Sequence, residues 1–68
     1  MDPVIIGRNV YRARFAKAMT QRELAEKIGV HFNTICYIES GKHPPSPKTL
    51  GLIANALGVS AATLLRGA

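Results

Sequence analysis

The stretch KIGVHFNTICYIESGK, residues 27–42, decides the fold of this chain. A helical pattern ends at Gly29, a residue type that readily takes the left-handed conformation found just past helix ends. A second helical pattern follows over about 32–40, and Gly41 ends it in the same way. Two short helices joined by a tight turn are therefore predicted here.

Residues that cap helix N-termini mark the starts of the other helices. Asp2 and Ser46 each precede a proline, which suits the first position of a helix. Thr20 and Glu23 have the spacing of a capping box, and Ser60 precedes a last short apolar segment. No segment shows the period-two alternation of a strand. The sequence predicts an all-α domain of five short helices.

One glycine lies within the first helical pattern. Ile6, Val10 and Ala13 have the spacing of a helix face, and Gly7 falls among them. Glycine inside a helix costs roughly 0.5–1 kcal/mol relative to alanine. A weak first turn is therefore predicted, with the helix beginning nearer Ile6 than Pro3.

Length and composition indicate one small domain over residues 1–68. Cys36 is the only cysteine, so a reducing compartment and a small, partly buried side chain are expected. The apolar runs are too short to cross a bilayer and no signal-peptide pattern is present, which makes the cytoplasm the default location.

Nine Lys and Arg against four Asp and Glu give a net charge of +5. This charge suits a polyanionic partner, although it also serves solubility.

The residues that enzymes and metal sites require are missing or scattered. Neither histidine lies at zinc-site spacing from Cys36, and no glycine-rich loop follows a strand. The four carboxylates are assigned to helix caps and to the surface, where Glu26 lies one turn from Arg22. No enzyme, metal, cofactor or small-molecule ligand is predicted.

The helix pair instead favours double-stranded DNA as the partner. A short second helix can enter a major groove about 12 Å wide with its first residues against the bases. The first helix of such a pair crosses the DNA backbone, where its free amides can hold a phosphate. Gln21, directly after the Thr20 cap, is placed for that contact.

Two segments together resemble the phage-repressor, or Xre/Cro-type, helix-turn-helix family. They are MTQRELAEKIGVHFNTICYIESGK (19–42) and PSPKTLGLIANALGVS (45–60). The family pattern runs T-Q-x-x-L-A-x-x-x-G-V, then I-E-x-G, then P-S and L-x-x-I-A-x-A-L-G-V-S. The match extends from about Ile6 to Leu65. It implies a compact, five-helix, lambda-repressor-like fold and a sequence-specific transcriptional regulator, acting as a homodimeric repressor on a palindromic operator.

The resemblance assigns roles to particular residues of this chain. Its base-reading positions correspond to Phe32, Asn33 and Tyr37. Its DNA-backbone positions correspond to Gln21, His31, Thr34, Ser40, Lys42 and His43. A structural ion pair of the family corresponds to Arg14 and Glu39.

The chemistry of these residues leaves some alternatives open. The Asn33 amide can pair with adenine N6 and N7, or it can cap its own helix. Phe32 can lie against a thymine methyl, which predicts a thymine near that adenine, or fold back onto the helix pair. His31 stands where Ser or Thr usually caps, so an imperfect cap with a phosphate contact is expected. Tyr37 can donate to DNA or pack partly into the core.

The pairing of Arg14 with Glu39 also follows from burial. Glu39 is next to the inward-facing Ile38, and acids are few in this chain, so a cationic partner is expected. Breaking a buried ion pair costs about 3–5 kcal/mol. A pair that joins the first helix to the third is favoured over base contact by Arg14.

The last helix is the expected dimer contact. Leu64 and Leu65 are adjacent, so one helix cannot easily bury both, and Ala61 and Ala62 add small apolar surface. The alternative function is a protein-interaction module of the same fold, such as an antitoxin-type partner-binding protein.

Overall fold

Five helices follow one another along the chain with short connections between them. The computed structural model describes all residues, 1–68. The helices are α1 (Pro3–Ala16), α2 (Gln21–Ile28), α3 (Phe32–Ser40), α4 (Pro47–Leu57) and α5 (Ala61–Leu65). There is no strand, and the prediction of an all-α domain of five helices is confirmed. None of the helices has the length and apolar character that a bilayer-spanning helix requires.

Each helix begins directly after one of the capping residues that the sequence contains. The side chains of Asp2, Ser46 and Ser60 accept hydrogen bonds from backbone N–H groups two or three residues later. In the capping box, the Glu23 N–H donates to Thr20 Oγ1 (3.0 Å) and the Thr20 N–H donates to Glu23 Oε1 (2.8 Å). Hydrogen bonding of the Glu23 carboxylate to the Thr20 backbone N–H, and to the Thr20 side chain, lowers the pKa of this carboxyl. The helix starts therefore depend on local bonds.

All five helices contribute apolar side chains to one core. Six side chains in it are almost completely enclosed: Val10, Leu24, Ile35, Ile53, Leu57 and Leu64. Helix α1 packs against α3, α4 and α5, while α2 packs against α3 and α4. The helix pair α2–α3 is thus held from behind by α1 and α4, and its other side faces solvent.

Helix α1 begins earlier than the sequence predicts. It starts at Pro3, with Asp2 as its cap, so the expected start near Ile6 is wrong. Gly7 is buried, and a Cβ built on it would collide with the backbone carbonyl oxygens of Ile38 and Glu39. Glycine is therefore present because α3 passes close to α1. The packing between the two helices more than offsets the poor helix propensity of this residue.

A polar side chain ties the two ends of the domain together. Asn9 Nδ2 donates hydrogen bonds to the carbonyl oxygens of Leu64 and Arg66, both at 2.9 Å. These bonds fix the end of α5 against α1 and satisfy carbonyls that the helix itself leaves free.

The packing of α5 corrects one of the expected dimer contacts. Leu64 has 0% of its surface exposed, so it is a core residue and cannot contact a second copy. Leu65 is only half-buried, while Ala61 and Ala62 are exposed. The helix therefore separates the two adjacent leucines, one inward and one at the surface, as its geometry requires.

Candidate nucleic-acid interface

A network of charged and polar side chains joins α1, α2 and α3. Arg14 holds Glu39 through two parallel bonds, Nε to Oε2 at 2.6 Å and Nη2 to Oε1 at 2.9 Å. Arg14 Nη1 also donates to the Met19 carbonyl oxygen at 2.8 Å. The hydrogen bond to Glu39 raises the pKa of Arg14 further, although partial burial opposes it. Only 12% of the Arg14 side chain and 6% of the Glu39 side chain are exposed. The pair thus pins α3 to α1 from within.

The same carboxylate orients Gln21, the first residue of α2. Gln21 Nε2 donates to Glu39 Oε1 at 2.9 Å, and Gln21 Oε1 accepts from Cys36 Sγ at 3.3 Å. Because a carboxylate can only accept, the amide nitrogen must face Glu39, and the oxygen then faces Cys36. The second N–H of Nε2 has no partner within the chain. Gln21 therefore presents one oriented donor at the start of α2.

The first turn of α3 exposes an amide with no internal partner. His31 caps the helix, since its Nδ1 accepts from the Asn33 backbone N–H at 3.0 Å. Its Nε2 is left for an outside group. The Asn33 side chain is exposed and makes no hydrogen bond in the chain, so it does not act as a cap. The imidazole performs that role and leaves the amide of Asn33 free.

A second cluster surrounds Tyr37, one turn further along α3. Tyr37 is 39% exposed. The ring lies edge-on to His43, with centroids 5.4 Å apart, and Lys42 Nζ lies 4.8 Å from its centroid. Thr34, Tyr37 and His43 also line a shallow cleft of about 160 Å³ with the loop before α4. The exposed side of α3 therefore carries polar and aromatic groups, and the loop after it adds the cation of Lys42.

Ser40 takes part in the structure of the helix end. Its Oγ donates to the Tyr37 carbonyl oxygen at 3.1 Å and accepts from the Lys42 N–H at 3.4 Å. Gly41 then takes a left-handed conformation with φ of 81°. These bonds direct the chain so that Lys42 and His43 lie beside Tyr37.

One contact of the interface was missed by the sequence analysis. The Arg22 guanidinium lies over the ring of Phe32, with Cζ 4.4 Å from the ring centroid. Arg22 makes no ion pair with Glu26, one turn further along α2, and the ion pair of the structure is Arg14 with Glu39. No local signal predicts the contact between Arg22 and Phe32, because the two residues belong to different helices and meet only across the turn.

The family of the chain follows from comparison with known proteins. A family model described as helix-turn-helix matches residues 10–64, which include the whole interface and the supporting Arg14. The chain belongs to the helix-turn-helix family. This membership confirms the resemblance to the phage-repressor, Xre/Cro-type group. It also confirms that the chain is not an enzyme, because the family consists of DNA-binding transcription regulators.

Two solved structures have the same helix-turn-helix fold. The clp gene regulator ClgR from Corynebacterium glutamicum superimposes with a TM-score of 0.91 at 31% identity, over 96% of this chain and 69% of that one. The biofilm-formation master regulator SinR, solved in complex with DNA, gives a TM-score of 0.84 at 36% identity. That match covers 88% of this chain and 97% of SinR.

Longer proteins also contain a similar segment. The endothelial differentiation-related factor 1 homolog of Gallus gallus is 35% identical over 57 residues, 84% of this chain and 38% of that protein. The chain therefore spans less than two fifths of that relative. The similarity extends to the folded unit and not to the remainder of the relative.

The structure brings most of the predicted site residues onto one surface. This interface surface is formed by the start of α2, the exposed side of α3 and the loop after it. It carries Gln21, His31, Phe32, Asn33, Thr34, Tyr37, Ser40, Lys42 and His43. Ala61 and Leu65 lie on α5, which packs against α1 and α4.

Proposed function

We propose that residues 1–68 form one DNA-binding unit that acts as a sequence-specific transcriptional repressor on double-stranded DNA. In this proposal the unit works as a homodimer on a palindromic operator in the cytoplasm. The observation that carries it is the free Asn33 amide on the exposed first turn of α3. The ion pair of Arg14 with Glu39 supports it, because it fixes the orientation of α3 relative to α1.

In the proposed complex, α3 enters the major groove with its N-terminal turn against the base edges. Asn33 accepts from adenine N6 and donates to N7, and this bidentate pattern distinguishes adenine from the other bases. Tyr37 contacts the DNA one turn later. Gln21 donates its spare N–H to a phosphate on one side, while Lys42 and His43 contact the backbone on the other. His31 and Thr34 add phosphate contacts at the start of the helix.

The homodimer of the proposal uses the surface of α5. Ala61 and Ala62 are exposed there and Leu65 is half-buried, so a second copy would cover a small apolar area. Two copies related by a two-fold axis would place their α3 helices in successive major grooves about 34–36 Å apart.

Selection from random duplex DNA tests the reading role of Asn33. The wild-type chain is expected to enrich two half-sites in inverted orientation. Asn33→Ala should relax the preference at one or two base pairs of each half-site and cost about 1–3 kcal/mol on the preferred duplex. If no duplex competes better than bulk DNA, sequence-specific binding is refuted. Enrichment of a single, unrepeated half-site would refute the dimer alone.

The phosphate contacts are tested by the salt dependence of binding. Lys42→Ala should weaken binding to every duplex by a similar factor and reduce the slope of log affinity against log salt by about one unit. Arg12→Ala is the matched control, because Arg12 is an exposed cation on α1 outside the interface surface. An equal loss of slope in both variants would indicate general charge attraction and argue against a contact by Lys42.

A further inference from the structure

Arg22 and Phe32 form a pair whose role the proposed function does not explain. Arg22 is the second residue of α2, and Phe32 is the first residue of α3. The distance of 4.4 Å from the guanidinium carbon to the ring centroid is well within the range of a cation–π contact. Arg22 is exposed and Phe32 is half-buried. The pair therefore lies at the surface, where the two helix starts meet.

This contact changes what Phe32 is able to touch. One face of its ring is covered by the guanidinium, and the side chain is partly enclosed by the domain. A thymine methyl would have to share the remaining edge or displace Arg22. The ring is thus better placed to hold Arg22 than to meet a base.

Arg22 is in turn placed beside the predicted phosphate contact. One open concavity of about 440 Å³ lies here. It is lined by Arg14, Thr20, Gln21, Arg22 and Phe32. Arg14 is committed to Glu39, but Arg22 makes no hydrogen bond or ion pair within the chain. A guanidinium held over a ring face can keep N–H donors free, in the fork that matches two phosphate oxygens.

We propose that Phe32 is a positioning residue that holds Arg22 as a DNA-backbone contact next to Gln21. Arg22 donates to the phosphate that Gln21 also contacts, or to its neighbour along the strand. Phe32 then does not read a base, and a thymine beside the adenine read by Asn33 is no longer expected. This inference rests on the proposed function, since the phosphate belongs to the operator.

Four variants test the pair: Phe32→Leu, Arg22→Ala, the double variant and the control Arg12→Ala. Arg22→Ala should weaken binding to all duplexes evenly and reduce the salt slope by about one unit. Phe32→Leu keeps an apolar side chain and should weaken binding about two- to fivefold without changing any base preference. In the Arg22→Ala background, Phe32→Leu should have almost no further effect, because there is no guanidinium left to position.

Two results of the binding measurements would overturn the proposal. A changed preference at a single base pair in Phe32→Leu would show that Phe32 reads a base. Additive losses in the double variant would show that the two residues act separately. Both outcomes require a wild-type chain that binds DNA specifically, so they contradict this inference and not the proposed function.

A measurement on the free protein separates the two proposals. The Phe32 ring should shift the side-chain proton resonances of Arg22 upfield in the wild-type chain, and Phe32→Leu should abolish the shift. If the shift is observed but no duplex is bound specifically, the proposed function fails and the backbone role of Arg22 with it. If the shift is missing from a chain that binds DNA, only the positioning role of Phe32 fails.

Discussion

Gly7→Ala is expected to destabilise the domain by about 1–3 kcal/mol, the range found for overpacked cores. A Cβ at position 7 would lie 2.8 Å from the Glu39 carbonyl oxygen and still closer to that of Ile38. Both atoms belong to the backbone of α3, so no side-chain rotation relieves the collision. Helix α1 must move away from α3, which also disturbs the contact of Arg14 with Glu39.

The size of this effect is large for such a small domain. Stabilities of about 0.05–0.15 kcal/mol per residue suggest about 3–10 kcal/mol for this chain. The substitution therefore removes a large share of the stability, although alanine alone would favour the helix by about 0.5–1 kcal/mol. Urea unfolding should show a lower midpoint with an unchanged slope.

Gly51→Ala provides the matched control. Gly51 also lies inside a helix, α4, but a Cβ there would meet no atom within 4 Å. This substitution should stabilise the domain by about 0.5–1 kcal/mol, because only the helix propensity changes. A gain of similar size for Gly7→Ala would show that α1 and α3 are not closely packed at this point.

Arg14→Met is expected to cost about 3 kcal/mol, at the lower end of the range for a broken buried pair. Glu39 would lose two of its three hydrogen-bond donors and keep only Gln21 Nε2. Its side chain is just 6% exposed, so water compensates poorly for the lost donors. Methionine retains most of the packing volume, and the measured loss therefore reports mainly on the unpaired carboxylate. The midpoint of urea unfolding measures this loss.

The double variant Arg14→Met with Glu39→Met shows whether the stability lost in Arg14→Met comes from the unpaired charge of Glu39. Removing both partners leaves no buried charge, so most of the lost stability should return. If the double variant is as unstable as the sum of the two single variants, the two residues are not coupled and our explanation is wrong. The comparison is a double-mutant cycle, which isolates the coupling between the two residues.

Most helix boundaries were predictable because their causes lie within a few residues. The N-caps Asp2, Thr20, Ser46 and Ser60 bond to backbone groups two or three positions away. The glycines at positions 29 and 41 end their helices with φ values of 75° and 81°. Such bonds and backbone conformations belong to the local sequence, and they can be predicted without knowing the fold.

The interface surface was predictable only in part. Asn33 and Lys42 were assigned by resemblance to a family whose pattern covers nearly the whole chain. The covering of Phe32 by Arg22 and the donation from Cys36 to Gln21 join different helices. No pattern of residue spacing predicts these contacts, because the angle of the turn decides which side chains meet.

The sequence by itself determined the number and order of the helices and most of their limits, and it placed α3 at 32–40. Only the tertiary structure decided that Gly7 is required by the carbonyls of α3 and that Leu64, not Leu65, is enclosed. It also decided that Phe32 faces Arg22. The physical reason is the distance in sequence over which each interaction acts. Caps and turns form between residues that are neighbours in the chain. The space at a glycine, the burial of a side chain and the contacts between helices depend on how whole helices pack.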